Sequence, residues 1–288
     1  LQKPYSMIFA GVGGTGVTTV SAIIGMAAHV DGKNSTTLDM TGLAQKGGQV
    51  LSHIRIAKGD VPIHSGRVPV SMANAAIIGD LIVATNLDAL KLVSTDVSAA
   101  VCNSDIAPTS EFIFDRNRKY QNVPKIELFA KAVNSIDTIN AEAIANEYLY
   151  DAMFSNMVLM GFAWQKGLIP VSLRGIYRAI KMNGAAVVDN MLAFDLGRIA
   201  AHDPARLIEL VPPRKVPDKK TLPDLINHRA QFLIDYQDKK LADKFTSIIE
   251  NAAKIEKDKL GSDELSYSIA ENLFKLMAYK DEYEVARL

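Results

Sequence analysis

SMIFAGVGGTGVTTVSAIIGMAAHV, residues 6–30, decides the fold of this 288-residue chain. SMIFAG (6–11) is a short apolar run of strand type, and VTTVSAIIGMAAHV (17–30) is long enough and apolar enough to be a compact helix. Between them Gly11, Gly13 and Gly16 match G-x-G-x-x-G, directly after the strand and directly before the helix. Glycine permits the tight turn and lets backbone N–H groups approach an anion, while the helix N-terminus adds partial positive charge. Strand, glycine loop and helix together open a Rossmann-like α/β domain. A P-loop nucleoside triphosphatase is excluded, because Val17 stands where the lysine of that motif belongs. Two readings of the loop remain. Asp39, near the position of a ribose-binding acid, points to NAD or FAD, whereas Gly13, Gly14 and Gly16 also suit close strand–helix packing with no nucleotide.

Outward from this unit, the first 150 residues alternate apolar strand-type runs with helical stretches, as in βαβ units around a mostly parallel sheet. STTLD (35–39), VLSHIRI (50–56), DLIVAT (80–85) and AAVCN (99–103) are the further strand candidates, and NLDALKLV (86–93) is a short helix that Asn86 is placed to cap. From Asp151 the period becomes helical. DAMFSNMVLMGFAWQKG is apolar around much of its circumference, Ser172 and Gly184 bracket SLRGIYRAIKMN, and AAVVDNMLAFDLGR follows. Prolines 204, 212, 213, 217 and 223 then break the periodicity. The expected organisation is a three-layer α/β domain over 1–200 with a helical part at 151–198, a linker over 201–223, and a helical hairpin or small bundle over 224–288.

Composition narrows the function. Lys+Arg 32 balances Asp+Glu 32, so the positive field that a nucleic-acid backbone requires is missing. The single cysteine, Cys102, lies in the apolar run SAAVCNS, where it reads as a buried structural thiol; one cysteine holds neither an internal disulfide nor an iron–sulfur cluster. His29, His53, His64, His202 and His228 show no metal-ligand spacing. No apolar stretch reaches membrane-spanning length and no signal peptide is recognisable, which makes the cytoplasm the expected compartment. The abrupt start at Leu1 and the end in EYEVARL suggest a piece of a longer protein.

A second constellation is TGLAQKGGQVLSHIRI (41–56). Gln45, Lys46, Gly47 and Gly48 lead into a strand on which alternation places Leu51, His53 and Arg55 on one face and Val50, Ser52, Ile54 and Ile56 on the other. An Arg and a His on one face suit an anion site or a subunit contact, and equally a solvated face at a sheet edge. Asn156, Gln165, Asn183 and Asn190 recur within the apolar helices, where buried amides need partners.

AGVGGTGVTT (10–19), TLDMTGLAQKGGQVLSHIRI (37–56), NMVLMGFAWQKGLIPVS (156–172), NGAAVVDNMLAFDLGR (183–198) and KLMAYKDEYEVARL (275–288), in that order, resemble the γ-type domain of the 2-oxoacid:ferredoxin oxidoreductases, above all the fused bacterial indolepyruvate enzymes. The resemblance covers nearly the whole chain. It implies an enzyme that decarboxylates an aryl or branched 2-oxoacid on thiamine diphosphate with magnesium, passes electrons through 4Fe-4S clusters to ferredoxin, and transfers the acyl group to coenzyme A. This chain lacks a Gly-Asp-Gly thiamine diphosphate motif, since His29-Val30-Asp31-Gly32 is not followed by its asparagine partner. The resemblance therefore implies one domain of a larger catalyst, inactive alone and packing on thiamine-binding and iron–sulfur domains or subunits; the spare apolar helices of the α/β domain add the expectation of a homodimer. Gly11, Gly13, Gly14, Thr15 and Gly16 are the residues expected to meet coenzyme A or a partner backbone, with Gln45, Lys46, Gly47, Gly48 and Arg55 near the same interface. No residue of the chain is expected to be catalytic. A free-standing NAD- or FAD-dependent oxidoreductase and a purely structural assembly module are the competing classes.

Overall fold

The computed structural model describes residues 3–42, 48–105, 122–207, 221–279 and 281–287. The chain forms two compact units, Leu1–Arg214 and Lys215–Leu288. In the first, β1 (Tyr5–Val12) leads through the glycine loop into α1 (Val17–Val30), followed by β2 (Asn34–Thr41), β3 (Gln49–Ala57) and β4 (Ala75–Ile78). Two short helices, α2 (Leu81–Ala84) and α3 (Leu87–Leu90), precede β5 (Ala99–Asn103); α4 (Asn122–Ala130), β6 (Ser135–Ile139) and α5 (Ala141–Leu149) come next. The unit closes with α6 (Ser155–Gln165), α7 (Leu173–Asn183) and α8 (Val187–His202).

The strands form one sheet in the order β2-β3-β1-β4-β5-β6. β1, β4, β5 and β6 run parallel, whereas β3 is antiparallel to both β1 and β2. Alternation divides each central strand between two cores. Met7 and Phe9 of β1 join α1, α6, α7 and α8 on one face of the sheet, while Ile8 and Ala10 join α2, α3 and Phe129 of α4 on the other. The result is the expected three-layer α/β fold with a mostly parallel sheet.

The apolar run 80–85 is a correction. It forms α2 and not a strand, because the Asp80 side chain accepts from the backbone amides of Ile82 (2.8 Å) and Val83 (3.0 Å) and caps a helix there. The strand lies just upstream, at AAII (75–78). β6 (SIDTI) carries no apolar run and gives the sequence reading nothing to detect. At α3, Asn86 stands at the cap position but its side chain makes no capping bond. Ser172 does cap α7 through the amide of Gly175 (2.9 Å), and Gly184 ends that helix. Among the described residues no helix is long and apolar enough to cross a membrane.

The second unit is helical: α9 (Leu222–Tyr236), α10 (Lys239–Leu260), α11 (Glu264–Met277) and the short α12 (Glu282–Arg287). Leu233, Phe245, Ile249, Ala270 and Phe274 form its own core. What reads as one amphipathic stretch from 225 to 260 breaks at Asp238, which caps α10 by accepting from the amide of Leu241 (2.8 Å).

Candidate functional site at the glycine loop

Ligands of open α/β sheets bind beyond the carboxyl ends of parallel strands, where strand order reverses. Here that edge carries the glycine loop after β1, Gly79–Asp80 after β4 and Asn103 at the end of β5. Gly14 (φ 88°) and Gly16 (φ 86°) lie in the left-handed region, which lets the chain turn sharply from strand into helix. The amide of Gly13 donates to the carbonyl of Gly48 (2.7 Å), so the structure joins the loop to the end of the second constellation. Thr15 Oγ1 donates to the carbonyl of Val12 (2.7 Å). No side chain caps α1 and its first turn holds no acid, so the partial positive charge of that terminus is not met from within the helix. A cavity of about 280 Å³ opens there, lined among others by Gly13, Gly14, Thr18, Thr19, Val50 and Met153.

Asn156, near the start of α6, fixes the loop from below. Its Nδ2 donates to the carbonyl of Thr15 (2.7 Å) and to Thr15 Oγ1 (3.0 Å), and the side chain is buried. Asn156 therefore belongs to the site, a role that sequence reasoning left among the helix-tying amides. Asn103 ties the end of β5 to the start of α5 by accepting from the amide of Ala141 (3.0 Å). Gln165 ties α6 to α8 by accepting from Arg198, whereas Asn190 stays local and donates to the carbonyl of Ala185.

The remaining predicted residues separate. Gln45, Lys46 and Gly47 lie outside the described residues. Arg55 is not at the loop: β3 is antiparallel to β1, so Gln49 pairs with Val12 beside the loop while Arg55 pairs with Ser6 about 20 Å further along the strand. There its Nη1 donates to the carbonyl of Ser65 (2.9 Å). His53 is buried on an inner strand, not a solvated edge face, and its Nδ1 accepts from the amide of Val68 (3.1 Å).

Asp39 also departs from the dinucleotide pattern. A ribose-binding acid belongs on a strand parallel to and beside β1, but here β3 occupies that place and β2 is the outermost strand. Asp39 instead accepts hydroxyl hydrogen bonds from Ser21 of α1 (3.0 Å) and Ser52 of β3. Cys102 is fully buried, and burial, aided by the nearby Asp80 charge, pushes its thiol up to about 12, which leaves it unreactive. One such thiol does not fit an iron–sulfur cluster. Among the described residues no group of three His, Cys, Asp or Glu side chains is arranged to hold a metal.

Residues 6–200 match the pyruvate ferredoxin/flavodoxin oxidoreductase family. The chain belongs to that family. Residues 222–288 match a second family whose function is unknown. Family members similar to this chain include the indolepyruvate oxidoreductase subunit IorB of Archaeoglobus fulgidus, 29% identical over 196 residues and covering 67% of this chain and 92% of that protein. The IorB subunit of Methanothermobacter thermautotrophicus is 27% identical over 206 residues, covering 68% and 97%. Among solved structures, the 2-oxoglutarate:ferredoxin oxidoreductase of Magnetococcus marinus, with 2-oxoglutarate, coenzyme A and succinyl-CoA bound, shares the fold at a TM-score of 0.51 and 16% identity. That likeness covers 87% of this chain and 42% of that one. Membership makes the chain part of an oxidoreductase assembly rather than a catalyst by itself.

Proposed function

We propose that this chain is the γ-type component of an indolepyruvate-type 2-oxoacid:ferredoxin oxidoreductase, with a γ-type domain over 1–200, a linker over 201–223 and a helical module over 224–288. The observation that carries the reading is the family match over 6–200 joined to a glycine loop whose uncapped helix terminus faces a cavity. Thiamine diphosphate, magnesium and the 4Fe-4S clusters belong to partner domains or subunits, which supply decarboxylation and electron transfer to ferredoxin. Among the described residues no His, Cys, Asp and Glu side chains are grouped to hold a metal, and the single cysteine cannot ligate a cluster alone. Its own contribution is a rigid platform: Asn156 and Thr15 hold the loop, and the amides of Gly14, Gly16 and the first turn of α1 face an anionic group, in this reading a phosphate of coenzyme A or a partner backbone. The assembly is cytoplasmic and contains two copies of the chain.

Reconstitution tests this. The chain is purified with and without thiamine-binding and cysteine-rich polypeptides of the same family, and indolepyruvate-dependent ferredoxin reduction is followed. Activity is expected only from the assembled complex, and Gly13→Val, which sets a side chain against the carbonyl of Gly48, is expected to raise the coenzyme A requirement. Full activity from the partners without this chain would overturn the assignment.

A further inference from the structure

The two edges of the open sheet differ. β6 is blunted: it is five residues long and carries Asp137, whose carboxylate pairs with Lys166 (3.1 Å). β2, at the other edge, is eight residues long (NSTTLDMT) and pairs with β3 in an unbroken register from Asn34↔Ala57 to Thr41↔Val50. It holds no lysine, arginine, proline or bulge, the devices that keep an edge from pairing further. Its one charge, Asp39, accepts hydroxyl hydrogen bonds from Ser21 and Ser52 and so is turned onto the sheet beneath α1.

The hydrogen-bond ladder fixes which backbone groups of β2 face outward. The amide of Gly42 donates to the carbonyl of Gln49 (2.9 Å), and the amide of Gly13 to that of Gly48 (2.7 Å). Antiparallel ladders alternate bonded and non-bonded pairs, so Gln49, Leu51, His53 and Arg55 turn their backbone groups to β2 while the residues between them turn theirs to β1. On β2 the groups bonded to β3 are therefore those of Thr36, Leu38, Met40 and Gly42. The N–H and C=O of Ser35, Thr37, Asp39 and Thr41 point away from the sheet, and among the described residues no hydrogen bond reaches them. Leu38 and Met40, exposed by 36% and 39%, add apolar side chains along the same edge. Such an edge is a template for another strand.

We propose that β2 pairs with β2 of a second copy of this chain, antiparallel about a two-fold axis at Leu38, so that two sheets become one. The strand is self-complementary about that residue. Ser35 stands opposite Thr41 of the second copy and Thr37 opposite Asp39, so each of the four outward residues both donates and accepts. Leu38 meets Leu38 of the second copy, Thr36 meets Met40, and the exposed apolar side chains cover each other. Only registers that oppose outward residues make these bonds. Sliding by two residues one way sets Asp39 against Asp39, a like-charge contact, and the other way sets Thr41 against Lys33, outside the strand. The inference rests on the reading that the assembly holds two copies of the chain, and it names the surface that joins them.

Cysteine cross-linking in the reconstituted complex tests it. The Cα atoms of a non-bonded antiparallel pair lie about 4.5 Å apart, within disulfide range. Leu38→Cys is therefore expected to give a covalent dimer of this chain on mild oxidation. Thr36→Cys and Met40→Cys should each fail alone, since each lies about 13 Å along the strand from the same position in the second copy, and should cross-link when the two variants are mixed. Cys102 is buried and does not compete. Thr37→Pro removes an outward N–H without touching the β3 ladder; added to Leu38→Cys it should slow cross-linking roughly tenfold, with the circular dichroism of the chain unchanged. A two-copy complex with no Leu38 cross-link overturns this interface and leaves the two-copy reading standing, whereas a complex with one copy overturns both. A Leu38 disulfide to a partner polypeptide, or equal cross-linking by all three single variants, also overturns the interface. If Thr37→Pro does not fold, the mixed Thr36→Cys and Met40→Cys pair decides. Ferredoxin reduction by the unmodified complex reads the functional assignment separately.

Discussion

The side-chain amide of Asn156 donates to both the carbonyl oxygen and the hydroxyl oxygen of Thr15, 141 positions earlier in the chain. A loop containing Gly14 and Gly16 in left-handed conformations has much freedom to lose on folding. Asn156 removes part of that freedom by anchoring the loop to a helix packed in the main core, so the geometry of the candidate site is set by α6 as much as by the loop itself.

Asn156→Ala is expected to lower stability by about 1–3 kcal/mol, the cost of leaving the partly buried carbonyl of Thr15 without its side-chain donor. Amide hydrogen exchange at Gly13, Thr15 and Val20, whose amides are hydrogen-bonded around the loop, should accelerate more than exchange in β4 or β5. Urea denaturation followed by hydrogen-exchange mass spectrometry measures both. A wild-type midpoint with wild-type exchange at the loop would show that Asn156 does not anchor it.

The strand–loop–helix unit was legible because its information is local. Residues 6–30 carry the glycine spacing and the apolar period together, and β1 and α1 fall where that pattern places them. The features that escaped are set at a distance. Whether the run 75–85 forms one strand or a strand and a helix depends on Gly79 and Asp80, whose amides both reach the carbonyl of Ala10. Arg55 seemed a neighbour of the loop because the direction of β3 is not written in its alternation. The partner of Asn156 lies on the first strand–helix turn, and no helical period predicts it. Asp39 sits near the expected sequence position for a ribose contact, yet the insertion of β3 between β2 and β1 gives it two serine hydroxyls instead.

Gly161 of α6 and Gly197 of α8 allow those helices to cross in backbone contact. A Cβ at Gly161 would stand 1.9 Å from the carbonyl oxygen of Phe194, and one at Gly197 would stand 1.9 Å from that of Val158. Both obstacles are backbone, so the helices must separate to admit a methyl group. Gly161→Ala and Gly197→Ala are each expected to cost about 3 kcal/mol, the upper part of the range for overpacking. Their double variant should cost less than the sum, because one separation relieves both clashes. Additive losses in denaturant unfolding would contradict a shared crossing.

His53 gives stability a defined pH dependence. Burial, with the charges of Arg67 and Lys91, holds its imidazole below the ordinary value of 6.5. The unfolded chain therefore takes up the proton first as pH falls. Stability is fully present above pH 6.5, declines as pH drops through that value, and levels off below the folded-state value, with a slope of at most about 1.4 kcal/mol per pH unit. His53→Gln keeps an acceptor for the Val68 amide and does not titrate, so its stability should vary less between pH 7.5 and 5, measured at constant ionic strength. An identical slope in the variant would assign the dependence elsewhere.

In the helical unit, Glu256 of α10 serves as the cap of α11. Its carboxylate accepts from the amides of Leu265 (2.9 Å) and Ser266 (2.8 Å) and from the Ser266 hydroxyl. The Ser266 hydroxyl, opposed by burial and assisted by the two amides, holds the carboxyl below its ordinary value of 4.5. The contribution of this cap is therefore present above pH 4.5 and is lost as pH falls through the folded-state value. Glu256→Gln substitutes an NH₂ for one carboxylate oxygen and sets a donor against a donor. Exchange at Leu265 and Ser266 should accelerate at pH 7 in the variant, and acidification should then change it little. In the unmodified chain the same amides should stay protected at pH 7 and lose protection on acidification, once the intrinsic pH dependence of exchange is divided out. Equal protection in the two proteins at pH 7 would mean that α11 is held by the packing of its Phe274 on Phe245 and not by this carboxylate.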